Sequence, residues 1–349
     1  MSVKYIPVQW NFNKYFYDLV LLICVAVYIL VFIRIGTPDA GVTRPIDGAI
    51  IRMRAFGTCA FLMLTVILCI GPLARLDRRF LPLLYNRRHF GILTFLVALT
   101  HVVYVLNWYY AFSDISPIVG LLTTSETSGQ LLGFPFEWFG MLALVILAIL
   151  AFTSHDFWLA FLSAPVWKRL HLLIYVAYAA AVAHFALGYL QDATNPFFMI
   201  VAGGGAIMVS VLHLAAGLKA PTDGAQDRKG EWIEVGDPTV IPDGRAIIVR
   251  IQGNERAAIF RDGDALSAVS NACAHQNGPL GEGRIIDGCI TCPWHGFQYR
   301  PEDGCAPAPF TEKIPTYDLR LEGDTLLIAA KAHPPGTKVD PLTVPERET

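Results

Sequence analysis

The sequence predicts an α-helical transmembrane bundle of six spans followed by a small all-β domain. Three observations carry that expectation. Hydrophobic residues make up 54% of the 349-residue chain and charged ones only 16%, with a mean hydropathy of +0.46, the balance of a membrane protein with a smaller soluble part. Six apolar runs, each long enough to cross hydrocarbon, fill residues 16–35, 51–73, 90–112, 138–156, 169–190 and 197–217. Beyond residue 231 the pattern changes to short strand-like runs punctuated by Gly and Asp, such as AIIVRI at 246–251 and RAAIF at 256–260.

The first run follows polar and aromatic residues and is too long for the apolar core of a cleavable signal, so it is expected to stay in the membrane. Loop charge sets the orientation. With the N-terminus inside, the inner loops hold Lys4, Lys14, Arg75, Arg78, Arg79, Arg87, Arg88, Lys168, Arg169, Lys219, Arg228 and Lys229, against Arg34, Arg44, Arg52 and Arg54 outside. Both termini are then cytoplasmic, in what is expected to be a bacterial inner (plasma) membrane. Trp108, Tyr109, Tyr110, Trp158 and Trp167 suit the interfacial belts. Gly203, Gly204 and Gly205 fall inside the sixth run and read as helix-packing residues. Residues 218–230 are polar with Pro and Gly and read as a linker. The domains are therefore expected at 1–217 and 231–330, with a Pro-rich disordered tail over 331–349. No internal repeat is evident. A net charge of −2 without a Lys/Arg-rich tract argues against a nucleic-acid partner.

Imidazoles deep in a hydrocarbon layer are functional candidates by default. His101 lies thirteen residues past Arg88 and His184 fifteen past Arg169, so both sit about 20 Å from the inner face. Two neutral imidazoles at one depth are what a six-coordinate b-type haem requires. The runs RRHFGILTFLVALTH and WKRLHLLIYVAYAAAVAHF resemble the ferric-reductase-type transmembrane domain, in particular the membrane haem subunit of the periplasmic methionine sulfoxide reductase system, over about residues 50–217. That resemblance implies a haem pair at His101 and His184, with His171 the ligand of a second, inner haem; one haem is expected, and two are an option. His171 and His184 are about 3.6 turns apart, so a bend or bulge is needed to aim both inward. His89, at the headgroup boundary, and His213 are the candidate partners for His171. Arg52 and Arg54, at the outer end of the second span, are candidates to neutralise haem propionates.

Within the β domain, Cys273-Ala274-His275 and Cys292-Pro293-Trp294-His295 are two Cys/His pairs sixteen residues apart, each in a loop rich in Gly and Pro. A zinc finger groups its ligands differently, two cysteines in one knuckle and two histidines on a helix; a structural zinc site is the alternative. Two loops approaching from opposite sides can give both sulfurs to one iron and both nitrogens to another. CPWHGFQY, the PEDG turn and Pro307 and Pro309 resemble the Rieske family in its ferredoxin and oxygenase branch, over about residues 231–330. The resemblance implies a 2Fe-2S cluster with Cys273 and Cys292 on the inner iron and His275 and His295 on the outer one. Where the respiratory branch has extra cysteines and a serine donor, this chain has Gly278, Trp294 and Phe297, which implies a lower potential; Tyr299 keeps the other donor position. Trp294 and Phe297 read as packing residues. Cys289 and Cys292 spell a CxxC, but Cys289 falls in a strand-like run and reads as buried filler, while Cys24, Cys59 and Cys69 sit in apolar segments.

Together these readings describe an electron-transfer protein that joins a cytosolic 2Fe-2S cluster to membrane haem, expected to serve an extracytoplasmic redox enzyme or ferric iron. No catalytic residue is nominated, and no GxGxxG follows a strand. A partner resembling a flavin-dependent ferredoxin reductase, or quinol, is expected to donate, and FMN at the inner face stays open. The alternatives are a quinol-linked reductase and a membrane-anchored ferredoxin serving cytosolic oxygenases.

Overall fold

The computed structural model describes residues 12–36, 45–84, 87–112, 114, 116–117, 119–120, 136–155, 158, 162, 164–191, 196–219, 228–252, 255–275, 277–293 and 296–344. The chain divides after Leu218 into two compact units.

The first unit is helical: α1 (Phe12–Gly36), α2 (Pro45–Leu76), α3 (Arg87–Phe112), α4 (Glu137–Phe152), α5 (Ala164–His171), α6 (Leu173–Gln191) and α7 (Pro196–Lys219), with a short helical turn at 78–84. Apart from α5, which is short and carries Lys168 and Arg169, these helices are apolar all round, and the helical ladder satisfies the backbone amides and carbonyls that lipid cannot. Among the described residues, five segments are long and apolar enough to cross a membrane, and α4 is a shorter apolar helix of 16 residues, about 24 Å long. The fourth run, expected to reach residue 156, stops at Phe152. The Thr153 and Ser154 hydroxyls turn back to the carbonyls of Ile149 and Leu150 at 2.7 and 2.6 Å, competing with helix continuation. The fifth run is broken at Leu172, whose N–H is shared between the Lys168 and Arg169 carbonyls, both at 3.2 Å.

α2 is the most buried span and α1 the least. Phe61 of α2 stacks on Tyr178 of α6 at 5.6 Å between centroids and meets Phe185 at 5.1 Å. Beside that stack, the hydroxyls of Thr65 and Tyr178 lie 3.1 Å apart. α7 approaches here at Gly205, where a Cβ would lie 3.2 Å from Tyr178 Oη, whereas Gly203 and Gly204 face open space. Of the three glycines expected to pack, Gly205 alone does so. α1 presents its apolar side chains outward and is tied to α2 by Tyr28 Oη donating to Thr58 Oγ1 at 2.9 Å.

The second unit is all β: β1 (Arg228–Lys229), β2 (Trp232–Gly236), β3 (Ala246–Arg250), β4 (Arg256–Asp262), β5 (Ala265–Ser270), β6 (Arg284–Ile286), β7 (Cys289–Thr291), β8 (Gln298–Tyr299), β9 (Thr316–Tyr317), β10 (Leu319–Glu322), β11 (Thr325–Ala329) and β12 (Leu342–Thr343). They build three antiparallel sheets, ordered β1-β2-β11-β10, β12-β5-β4-β3 with β9 also on β5, and β6-β7-β8. Alternate residues of β4 supply two cores: Ala257 and Ile259 face one, Ala258 and Phe260 the other. The second core also holds Cys273, Cys292, Phe297 and Tyr299.

Two boundaries differ from expectation. The linker is shorter than 218–230, since α7 runs through Lys219 and β1 starts at Arg228; residues 220–227 lie outside the described residues. The tail expected to be disordered from Lys331 is ordered through Val344. Leu342 and Thr343 pair with Leu266 and Ala265, and the Val339 and Val344 amides donate to the Glu302 and Asp264 carbonyls, both at 2.8 Å. Covering an open strand edge outweighs the polar, Pro-rich composition. Residues 345–349 lie outside the described residues.

Candidate functional site

In the β unit, both candidate loops are built by one backbone device. The Cys273 N–H donates to Gly278 O at 2.9 Å, and the Asn277 N–H returns to Cys273 O at 2.7 Å. In the second loop the Cys292 N–H donates to Phe297 O at 2.8 Å, and the Gly296 N–H returns to Cys292 O at 2.9 Å. Each cysteine is thus clamped by the residues four and five positions on. The fourth residue is left-handed in both loops, with φ 57° at Asn277 and 70° at Gly296, conformations that Asn and Gly tolerate best. Both cysteines are buried.

His275 is half-buried with its Nδ1 out of solvent, and its ring lies on Phe297 at 5.1 Å and 9°. Tyr299 Oη lies 3.3 Å from Cys273 Sγ. Burial, reinforced by Cys273 alongside, pushes the Tyr299 phenol far above its ordinary value, so it stays protonated and donates to sulfur. Trp294 and His295 lie outside the described residues. The Cys273 loop is held from behind by Asn271, whose Oδ1 accepts from the Gly281 N–H at 2.7 Å while its carbonyl accepts from Leu280 N at 2.8 Å. Sequence reasoning missed Asn271, although a polar residue ending an apolar strand was the available signal. Burial pushes the Cys289 thiol up, with Glu302 adding to it, which suits filler rather than a reactive dithiol. The donor set fits an iron–sulfur cluster: two sulfurs on matched loops, and a buried tyrosine aimed at one of them.

In the helical unit, His101 of α3 and His184 of α6 face each other with ring centroids 6.3 Å apart and planes at 74°. Each Nδ1–H donates to a backbone carbonyl of a neighbouring element, His101 to Met53 O within α2 at 2.8 Å and His184 to Phe136 O just before α4 at 2.9 Å. That bond fixes the tautomer and leaves each Nε2 as the bare nitrogen a metal needs. The separation is about what two metal–nitrogen bonds of ~2.0 Å and two ring radii span, so the pair fits an axially ligated haem iron. Neither carbonyl carries any sequence signal, because the main chain is common to every residue.

The remaining candidates are not brought to this pair. His171 stacks on Trp167 at 3.8 Å and donates from Nδ1 to Trp167 O at 3.1 Å, with Ser154 Oγ at 3.5 Å from its Nε2. His89 is bonded to Asp18 at 2.7 Å, and Tyr175 Oη lies 3.1 Å from His213 Nε2. Arg54 is exposed with its guanidinium over Phe198, 5.6 Å from the ring centroid; Arg52 is exposed and points back toward Gly48. The side chains of Trp108, Tyr109 and Tyr110 lie outside the described residues.

A lipid-embedded helix bundle joined to a β domain with two matched Cys/His loops defines a membrane electron-transfer protein. The chain belongs to the Rieske [2Fe-2S] family. Residues 231–318 match the Rieske [2Fe-2S] domain, and residues 56–182 match the ferric reductase like transmembrane component. The anthranilate 1,2-dioxygenase ferredoxin subunit of Burkholderia cepacia is 37% identical over 73 residues, covering 21% of this chain and 68% of its own length. The ferredoxin component of the naphthalene 1,2-dioxygenase system of Pseudomonas aeruginosa is 30% identical over 99 residues, 28% of this chain and 94% of its own. Cholesterol 7-desaturase nvd of Xenopus laevis is 34% identical over 89 residues, 25% of this chain but only 19% of the desaturase. All these likenesses cover a minor part of this chain. The β unit is therefore the part that carries a 2Fe-2S cluster.

Proposed function

We propose that the chain conducts electrons across the membrane between a 2Fe-2S cluster on the cytoplasmic side and a b-type haem between His101 and His184, towards an extracytoplasmic acceptor, either a redox enzyme or ferric iron. The observation that carries this reading is the facing imidazole pair, each ring bonded to a carbonyl at 2.8 or 2.9 Å, in the same chain as the two clamped cysteine loops. Both groups supply one-electron oxidation and reduction when bound. Cys273 and Cys292 would hold one iron of the cluster, and His275 and His295 the other. Tyr299, bonded to the Cys273 sulfur, would favour the more negative, reduced state of a cluster held there. Arg52 and Arg54 flank Met53, the carbonyl partner of His101, and so sit at a depth where they can offset propionate charge. Both termini are cytoplasmic in a bacterial inner membrane, and a ferredoxin-reductase-like donor supplies the cluster. His171, engaged with Trp167, is not needed for this path.

Vesicles test it. With the protein reconstituted and the β unit outside, reduction of the cluster by a membrane-impermeant donor should be followed by reduction of the haem Soret band. A band that stays oxidised while the cluster is fully reduced rules the path out.

A second reading, a quinol-linked reductase, is favoured by one observation. Tyr175, 45% exposed on the bundle surface, hydrogen-bonds His213 there, a polar pair open to a lipid-soluble donor. Quinone-dependent haem reoxidation, lost in His213→Leu, would select it.

A further inference from the structure

The two imidazole anchorages are the same construction made twice. His101 lies 48 residues after Met53, whose carbonyl it meets, and His184 lies 48 residues after Phe136, whose carbonyl it meets. Four residues beyond each carbonyl stands a glycine, Gly57 on α2 and Gly140 on α4, each preceded by phenylalanine, Phe56 and Phe139. The step from the first set to the second is the same for carbonyl, glycine and histidine. The expectation of no internal repeat is thus corrected at the level of geometry: α2–α3 and α4–α6 each form a helical hairpin that presents one histidine to the facing pair.

The glycines are not interchangeable with other small residues. A Cβ at Gly57 would lie 2.9 Å from His101 Nδ1 and 3.0 Å from its Cε1; a Cβ at Gly140 would lie 2.8 and 2.9 Å from the same atoms of His184. Each imidazole is therefore pressed against bare backbone, one turn from the carbonyl that accepts its N–H. The bond and the contact together set the rotation of each ring about its own axis. Applied to two helix pairs, the device leaves the ring planes 74° apart.

We infer that Gly57 and Gly140, with the Met53 and Phe136 carbonyls, are positioning residues that hold the His101 and His184 rings nearly perpendicular. This rests on the haem reading above. Near-perpendicular axial imidazoles leave two iron d orbitals almost degenerate, so a low-spin ferric haem held this way gives a highly anisotropic paramagnetic resonance signal. Parallel rings give a rhombic one instead.

The test is that spectrum, taken on the purified full-length protein and on the variants Gly57→Ala and Gly140→Ala. The wild type should show the highly anisotropic low-spin signal. In each alanine variant the line shape should change, or haem should be lost from a bundle that still elutes and melts as folded. Gly203→Ala and Gly204→Ala, where a Cβ meets nothing within 4 Å, should match the wild type. A rhombic wild-type signal overturns the inference whether or not the variants fold, as do spectroscopically silent alanines at both positions. Failure of the haem reading looks different: no haem in the wild type, or low-spin haem surviving in His101→Ala and His184→Ala.

Discussion

The two units hold their candidate ligands by opposite means. In the β unit each cysteine is clamped by amides and carbonyls four and five residues along the same loop, so the device is local and travels with the segment. In the helical unit His101 and His184 are each fixed by a carbonyl 48 residues away, so their orientation depends on the register of one helix against another. A local clamp tolerates distant repacking. A long-range anchor reports it, and the bundle site is the one a change in helix packing should disturb first.

The largest test of that separation is Cys292→Ala. It should abolish cluster iron and acid-labile sulfide, measured chemically and by resonance of the reduced protein, while haem absorbance is unchanged; joint loss would break the comparison. Next is Gly304→Ala. At φ 63° and with a Cβ 2.4 Å from Ile314 O, it should lower the stability of the β unit by about 1–3 kcal/mol in thermal unfolding, again without touching the haem band. Tyr299→Phe removes the 3.3 Å bond to Cys273 Sγ. A redox titration should find the cluster potential lowered by about 40 mV, the equivalent of ~1 kcal/mol for one electron. The smallest effect belongs to Thr65→Val, which removes the partner of Tyr178. About 1 kcal/mol or less of bundle stability should be lost in denaturant melts, with the haem spectrum intact because the helix register survives.

The same contrast explains what could be read from the chain. Cys273, His275, Cys292 and His295 form a pattern because their loops are short and self-contained. The apolar runs announce the spans, and counting from Arg88 and Arg169 brings His101 and His184 to one depth. Neither Met53 nor Phe136 is marked by its own side chain as a hydrogen-bond acceptor for an imidazole, since only tertiary packing brings their carbonyls to the rings. Nor could α2 be told apart as the central helix, because every span is apolar all round. The break at Leu172 and the early stop at Thr153 are hydrogen-bond competitions settled locally but invisible to hydropathy. The segment after Lys331 was misjudged because composition does not show that β5 has an edge to cover.

That edge has a consequence for assembly. β5 is paired at once by β4, which precedes it, but its other side waits for β9 and β12, and both cluster loops lie in the chain between β5 and those strands. As the polypeptide leaves the ribosome, the loops emerge before the strands that seal the sheet. On the proposed ligand set, all four ligands are therefore synthesised while one flank of β5 is still open.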